Sequence, residues 1–162
     1  MNTVPDEKEL RSIIIKMLPE WRDDSLLGFK YLDGGFTNNN FVFERRYHNL
    51  TKKYVLRSPV VAQALQNRVD EFDLYQSLEA NISPDLIAFD TDSGAMITRY
   101  TEGELLADSP ASHHEADKLV RYIKSLHRVL PKTERCYDLS SLMSIYVPTF
   151  NERDFPEIKR LK

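Results

Sequence analysis

The stretch from Leu26 to Pro59 most constrains what this chain can become, because its apolar residues fall into short β-prone runs and never keep a helical period. The runs are Leu27 to Leu32, Phe41 to Tyr47 and Tyr54 to Arg57. A turn rich in Gly-Gly and Asn separates the first two, and His48-Asn49-Leu50-Thr51-Lys52 separates the second from the third. An antiparallel meander is the simplest arrangement. Two further runs, Leu86 to Phe89 and Ala95 to Tyr100, flank the polar, glycine-ended connection Asp90-Thr91-Asp92-Ser93-Gly94 and predict a second hairpin, for five strands in all.

Helices are predicted around these strands. Leu10, Ile13, Ile14, Met17 and Leu18 share one face of a helix that Pro19 stops. Ser58-Pro59 supplies an N-cap and a proline at the first helical position, and Leu65, Val69, Phe72, Tyr75 and Leu78 continue at helical spacing. Ser109-Pro110 and the capping pattern Ser112-x-x-Glu115 announce a later helix. Its stripe runs through Ala116, Leu119, Val120, Ile123, Leu126 and Leu130, and Pro131 ends it. The fold class is α+β, with the change from strands to helices dividing residues 1–105 from 106–162.

At 162 residues, with 41% hydrophobic and 29% charged, the chain has the balance of a water-soluble globular protein. A net charge of -3 provides no general basic field, so nucleic acid is not expected as a partner. The single Cys136 can form neither an internal disulfide nor a cysteine cluster, which points to the cytoplasm. Acidic Asp6, Glu7 and Glu9, then Arg11, Ser12 and Lys16 among the apolar positions, fit neither a signal peptide nor a membrane span. No metal site is predicted. His48 falls in a turn, His113 and His114 in the first turn of a helix, and His127 in a structural Leu-His pair.

The segment with chemical potential is Leu32-Asp33-Gly34-Gly35-Phe36-Thr37-Asn38-Asn39-Asn40-Phe41. Glycines without Cβ let backbone N–H groups face phosphate oxygens, while Thr37 and the asparagines can hold the turn's own polar groups. The same residues also make a plain hairpin loop. Two charged residues downstream of the loop bear on the choice. Arg57 on the third strand and Glu71 on the next helix match the unit in which a strand cation reaches nucleotide phosphates and a helix glutamate holds it. Without the loop, Arg57 and Glu71 would read as an exposed salt bridge or two solvated charges.

Taken in order, the loop, Tyr54-Val55-Leu56-Arg57, the helix containing Arg68 to Glu71, Ile97 to Leu106 and Leu126-His127 resemble choline kinase-like phosphotransferases of the aminoglycoside phosphotransferase type. The resemblance covers about residues 24–130. It implies a protein-kinase-like N-terminal lobe with a packed helix, followed by the first helices of an incomplete C-terminal lobe. By position, Gly34, Gly35, Phe36, Thr37, Asn38, Asn39 and Asn40 would cover the phosphates and Arg57 would contact them. Glu71 would orient Arg57, and the backbone of Arg99, Tyr100 and Thr101 would meet adenine. The family often has proline in that hinge where this chain has Glu102.

The family's phosphoryl-transfer residues lie later, in an H-x-D-x-x-x-x-N loop and a following aspartate. No histidine follows His127 here, and neither Asp138 nor Asp154 stands in that pattern. No residue is therefore assigned to catalysis and none to magnesium, although the expected ligand is ATP with Mg2+. The expectation is a truncated, inactive ATP-binding portion of a kinase for choline, ethanolamine or thiamine, acting on that small amino alcohol only if a catalytic lobe is supplied. The alternative is a non-catalytic nucleotide-binding or protein-interaction module. Helices left uncovered by a missing lobe predict self-association.

Overall fold

The computed structural model describes residues 4–22, 25–33, 38–59, 67–78, 82–103, 113–130 and 140. Apart from Ser140, these belong to one compact unit formed by residues 1–62 and 67–131; the other unit comprises 63–66 and 132–162. The described elements run α1 (Glu7–Met17), β1 (Leu26–Leu32), β2 (Asn38–Tyr47), β3 (Leu50–Pro59), α2 (Arg68–Ser77), β4 (Leu86–Phe89), β5 (Met96–Arg99) and α3 (His113–Val129). The architecture is α+β, with all five strands in one antiparallel sheet of order β1-β2-β3-β5-β4.

α1 starts on a capping box: the Asp6 carboxylate accepts from the Glu9 N–H, and the Glu9 carboxylate accepts from the Asp6 N–H. Its apolar stripe brings Leu10 and Ile14 onto the sheet, where they are buried with Phe41, Phe43, Tyr54, Leu56 and Ile97. Register explains which residues these are. Phe41 pairs with Leu56 and Leu56 with Ile97, while Phe43 pairs with Tyr54, so side chains of period two from three strands fall on the α1 side. Gly28 extends that alignment to β1. Its φ of +64° accompanies one extra residue between the Leu27 and Lys30 pairings, and this bulge turns both Leu26 and Phe29 toward the core.

Two boundaries differ from the sequence reading. Ser58 and Pro59 do not open a helix; they end β3, paired with Asn39 and Asn38. The β3–β5 ladder stops at Arg57–Met96, so Pro59 lies where β3 has lost that neighbour and a missing N–H costs little. The described helix begins instead at Arg68, with the Asn67 side chain accepting from the Val69 and Asp70 N–H groups. The second connection is also tighter than expected. Tyr47 pairs with Leu50, so Leu50 to Lys52 are strand and the turn is His48-Asn49, with His48 at φ 50°.

α2 lies against β4, where Phe72 and Tyr75 meet the Phe89 ring at 5.6 and 6.5 Å, and Val69 is exposed. α3 covers residues 113–129, and the Tyr122 hydroxyl donates to the Ile82 carbonyl at 3.1 Å. Along its stripe Leu119, Val120 and Ile123 remain exposed, as does Leu130 just beyond it. The helix starts expected at Ser109-Pro110 and Ser112, and its stop at Pro131, lie outside the described residues. Among the described residues no helix is long and apolar enough to cross a membrane.

Candidate functional site

Strand alternation that puts Leu56 in the core puts Arg57 on the opposite side of the sheet. There the register aligns one residue from each strand: Leu32 with Asn40, Asn40 with Arg57, Arg57 with Met96, and Met96 with Phe89. The next row is Lys30, Val42, Val55, Thr98 and Leu86. Arg57 thus stands in the middle of a face whose neighbouring row is mostly apolar.

Glu71 reaches this face from the first turn of α2. Arg57 Nη1 donates to Glu71 Oε1 at 2.5 Å, and Arg68 Nη1 donates to Glu71 Oε2 at 2.6 Å. Arg57 Nη2 also donates to the Gly94 carbonyl at 3.0 Å, and its guanidinium carbon lies 5.6 Å from the centre of the Phe89 ring. The side chains of Arg57, Arg68 and Glu71 retain only 14%, 11% and 22% of their exposure. Burial pushes the Glu71 carboxyl upward, but the hydrogen bonds and charges of the two arginines outweigh it and hold the group below the usual carboxylate range. Two guanidiniums around one carboxylate leave an excess positive charge. Arg57 Nε is buried with no hydrogen-bond partner.

The other expected site residues fall in different parts of the chain. Gly34, Gly35, Phe36 and Thr37 lie outside the described residues. Asn38, Asn39 and Asn40 belong to β2 rather than to the loop, because the ladder with β3 continues through Pro59, Ser58 and Arg57. Only Asn40 shares the Arg57 row. Arg99 ends β5 with Nε on Asp85 Oδ2 at 3.0 Å, and its guanidinium lies over Tyr54 on the α1 side. The Arg99 N–H donates to the Asp85 carbonyl at 2.9 Å and the Tyr100 N–H to the Lys53 carbonyl at 3.1 Å. Two of the three hinge amides are therefore used inside the protein. Glu102, where the family often has proline, pairs with Lys53 at 3.0 Å.

Sequence reasoning passed over Arg68 and Gly94. Arg68 lies three residues before Glu71, a helical pairing distance. Gly94 was legible as a turn residue, although its contacts with two distant arginines were not. An aromatic group also forms that spacing did not reveal: the Trp21 ring is 4.9 Å from Tyr54 and 6.3 Å from Phe43, with the Arg45 guanidinium 4.5 Å above Trp21. It belongs to the core, and its cation comes from the chain itself. A crevice of about 170 Å³ on the α1 side is lined by residues including Ile13, Met17, Ser58 and Asp90 and reaches neither Arg57 nor Glu71. Among the described residues no group of three or more His, Cys, Asp or Glu is placed to hold a metal ion. No protein-family model matches the sequence, and neither does any curated protein or solved structure.

Proposed function

We propose that the sheet and α2 form the nucleotide-binding lobe of a choline kinase-like phosphotransferase, with the Arg57 face receiving the phosphates of ATP. The observation that carries this reading is the Arg57–Glu71 pair, a β3 cation held by a helix carboxylate on the face opposite α1. The connectivity supports it: the helix bearing Glu71 enters between β3 and β4, and β5 lies between those strands in the sheet. The excess positive charge suits a phosphate group and gives no reason for an uncharged ligand. Arg57 would hold an α- or β-phosphate, and Glu71 would keep the guanidinium from swinging away. Asn40 stands beside Arg57 in register and would add an amide to the same anion.

This lobe binds and orients; it does not transfer. The family's acceptor-activating aspartate and magnesium ligands have no counterpart among the described residues, so Mg2+ would arrive with the nucleotide. The small amino alcohol, whether choline, ethanolamine or thiamine, is implied by the resemblance and would require a catalytic lobe.

One observation favours the protein-interaction form of the alternative, a non-catalytic nucleotide-binding or protein-interaction module. Both terminal nitrogens of Arg57 already have partners within the protein, as they would in a purely structural pair. Calorimetry of the full chain with Mg·ATP separates a nucleotide-binding lobe from a purely structural or protein-interaction module. Saturable binding supports the nucleotide lobe, and absence of binding removes it.

A further inference from the structure

Glu71 is gripped from two sides, and the β4–β5 turn supports both grips. Gly94, at the end of that turn, has φ +75°, and a Cβ built there would collide with Arg68 Nε and lie 2.5 Å from Arg68 Cζ. The Arg68 guanidinium thus occupies the space a side chain at position 94 would need. The carbonyl of the same glycine accepts from Arg57. The turn is itself tied down. The Gly94 N–H donates to the Asp90 carbonyl at 2.7 Å, and the Asp90 N–H to the Ala95 carbonyl at 2.9 Å. The Asp90 carboxylate accepts from Ser93 Oγ at 2.7 Å and from the Asp92 N–H at 3.0 Å.

We propose that Arg68 and Gly94 are positioning residues: together they latch the Glu71 carboxylate and the Arg57 guanidinium in one orientation and so set the direction in which Arg57 presents its remaining donors. A glutamate held by one partner can rotate about its side-chain torsions, whereas one held on both oxygens cannot turn without breaking a charged hydrogen bond. Arg68 supplies the second hold. Gly94 supplies the room for Arg68 and, through its carbonyl, a second anchor for Arg57. The supporting shell of a binding site is expected to fix the contacting side chain in this way. The consequence for nucleotide binding rests on Arg57 being the phosphate contact; the latch itself does not.

The test uses the full chain and carbon-13 NMR titration of the Glu71 side-chain carboxyl, together with Mg·ATP calorimetry. Arg68→Gln removes the charge on the second hold. Gly94→Asn keeps a residue that tolerates positive φ while placing a Cβ against Arg68, which separates displacement of the guanidinium from backbone strain. In both variants the Glu71 titration should move up toward the ordinary glutamate value, and Arg68→Lys, which restores charge without the planar fork, should recover part of the depression. Mg·ATP affinity should fall about five- to tenfold in Arg68→Gln, as for loss of one supporting hydrogen bond. A Glu71 titration unchanged in both variants would overturn the latch. So would unchanged affinity in these variants where Arg57→Ala weakens Mg·ATP binding to the chain. Should the wild-type chain fail to bind Mg·ATP, the nucleotide reading falls alone, and the Glu71 titration decides the latch. If Gly94→Asn does not fold, Arg68→Gln and Arg68→Lys decide it together.

Discussion

Leu56 and Arg57 are adjacent on β3, and one residue of strand alternation sends them into different chemistries. Leu56 is fully buried under α1, in a layer where Phe43 stacks at 5.4 Å on Phe29 and at 5.7 Å on Tyr54. Arg57 faces the other way, into an ion triad closed by α2 and the β4–β5 turn. The first layer holds the sheet together, because burial of large apolar side chains is the main favourable contribution to folding. The second gains little net stability, since the desolvation of charges removed from water offsets most of their mutual attraction. Two arginines and a glutamate largely buried on one face of the sheet therefore mark that position as a candidate for a role other than stability.

Breaking the dry face should have the largest effect. Phe43→Ala removes a fully buried ring and is expected to destabilise the chain by about 3–5 kcal/mol in urea unfolding. A much smaller shift of the unfolding midpoint would mean that the aromatic layer is not the main source of stability. On the ionic face, Glu71→Gln should cost about 1–3 kcal/mol at neutral pH, because two arginines lose their shared carboxylate.

That cost should also depend on pH, with a definite sign. Because Glu71 is held below its ordinary range, its contribution is fully present above about pH 4.3 and fades as pH falls through the depressed folded value. The difference in unfolding midpoint between wild type and Glu71→Gln should therefore narrow on acidification below about pH 4.3; a difference independent of pH would contradict the assignment. The smallest effect tests the contrast between faces most finely. Val55→Ala, next to Leu56 and half-buried on the Arg57 side, should cost about 1 kcal/mol or less, whereas Leu56→Ala should cost about 2–5 kcal/mol. Equal costs would show that the two faces are equally sealed.

Much of the sheet could be read from the sequence because its apolar residues alternate locally. Leu86 to Phe89 and the turn before Ala95 carry their own strand and turn signals. Pairing across the sheet overrode local preference elsewhere. Ser58-Pro59 looks like a helix start by itself, but β2 extends far enough to pair with it. Asn38 to Asn40 read as loop for the same reason. Gly28 gave no strand signal, because its bulge matters only once β2 lies beside it. At the site, Arg57 and Glu71 could be nominated from their order along the chain. Gly94 could not be linked to Arg57, 37 residues away, or to Arg68 until β4 and β5 had brought the turn to α2.

The central claim, that the ionic face exists to hold a nucleotide's phosphates through Arg57, is tested most directly by titrating Mg·ATP into the wild-type chain and the Arg57→Ala variant in a calorimeter. The account predicts saturable binding to wild type, weakened about ten- to hundredfold in the variant by loss of one charged hydrogen-bonding contact. Equal affinity in the two proteins, or no binding to the wild-type chain, would contradict it.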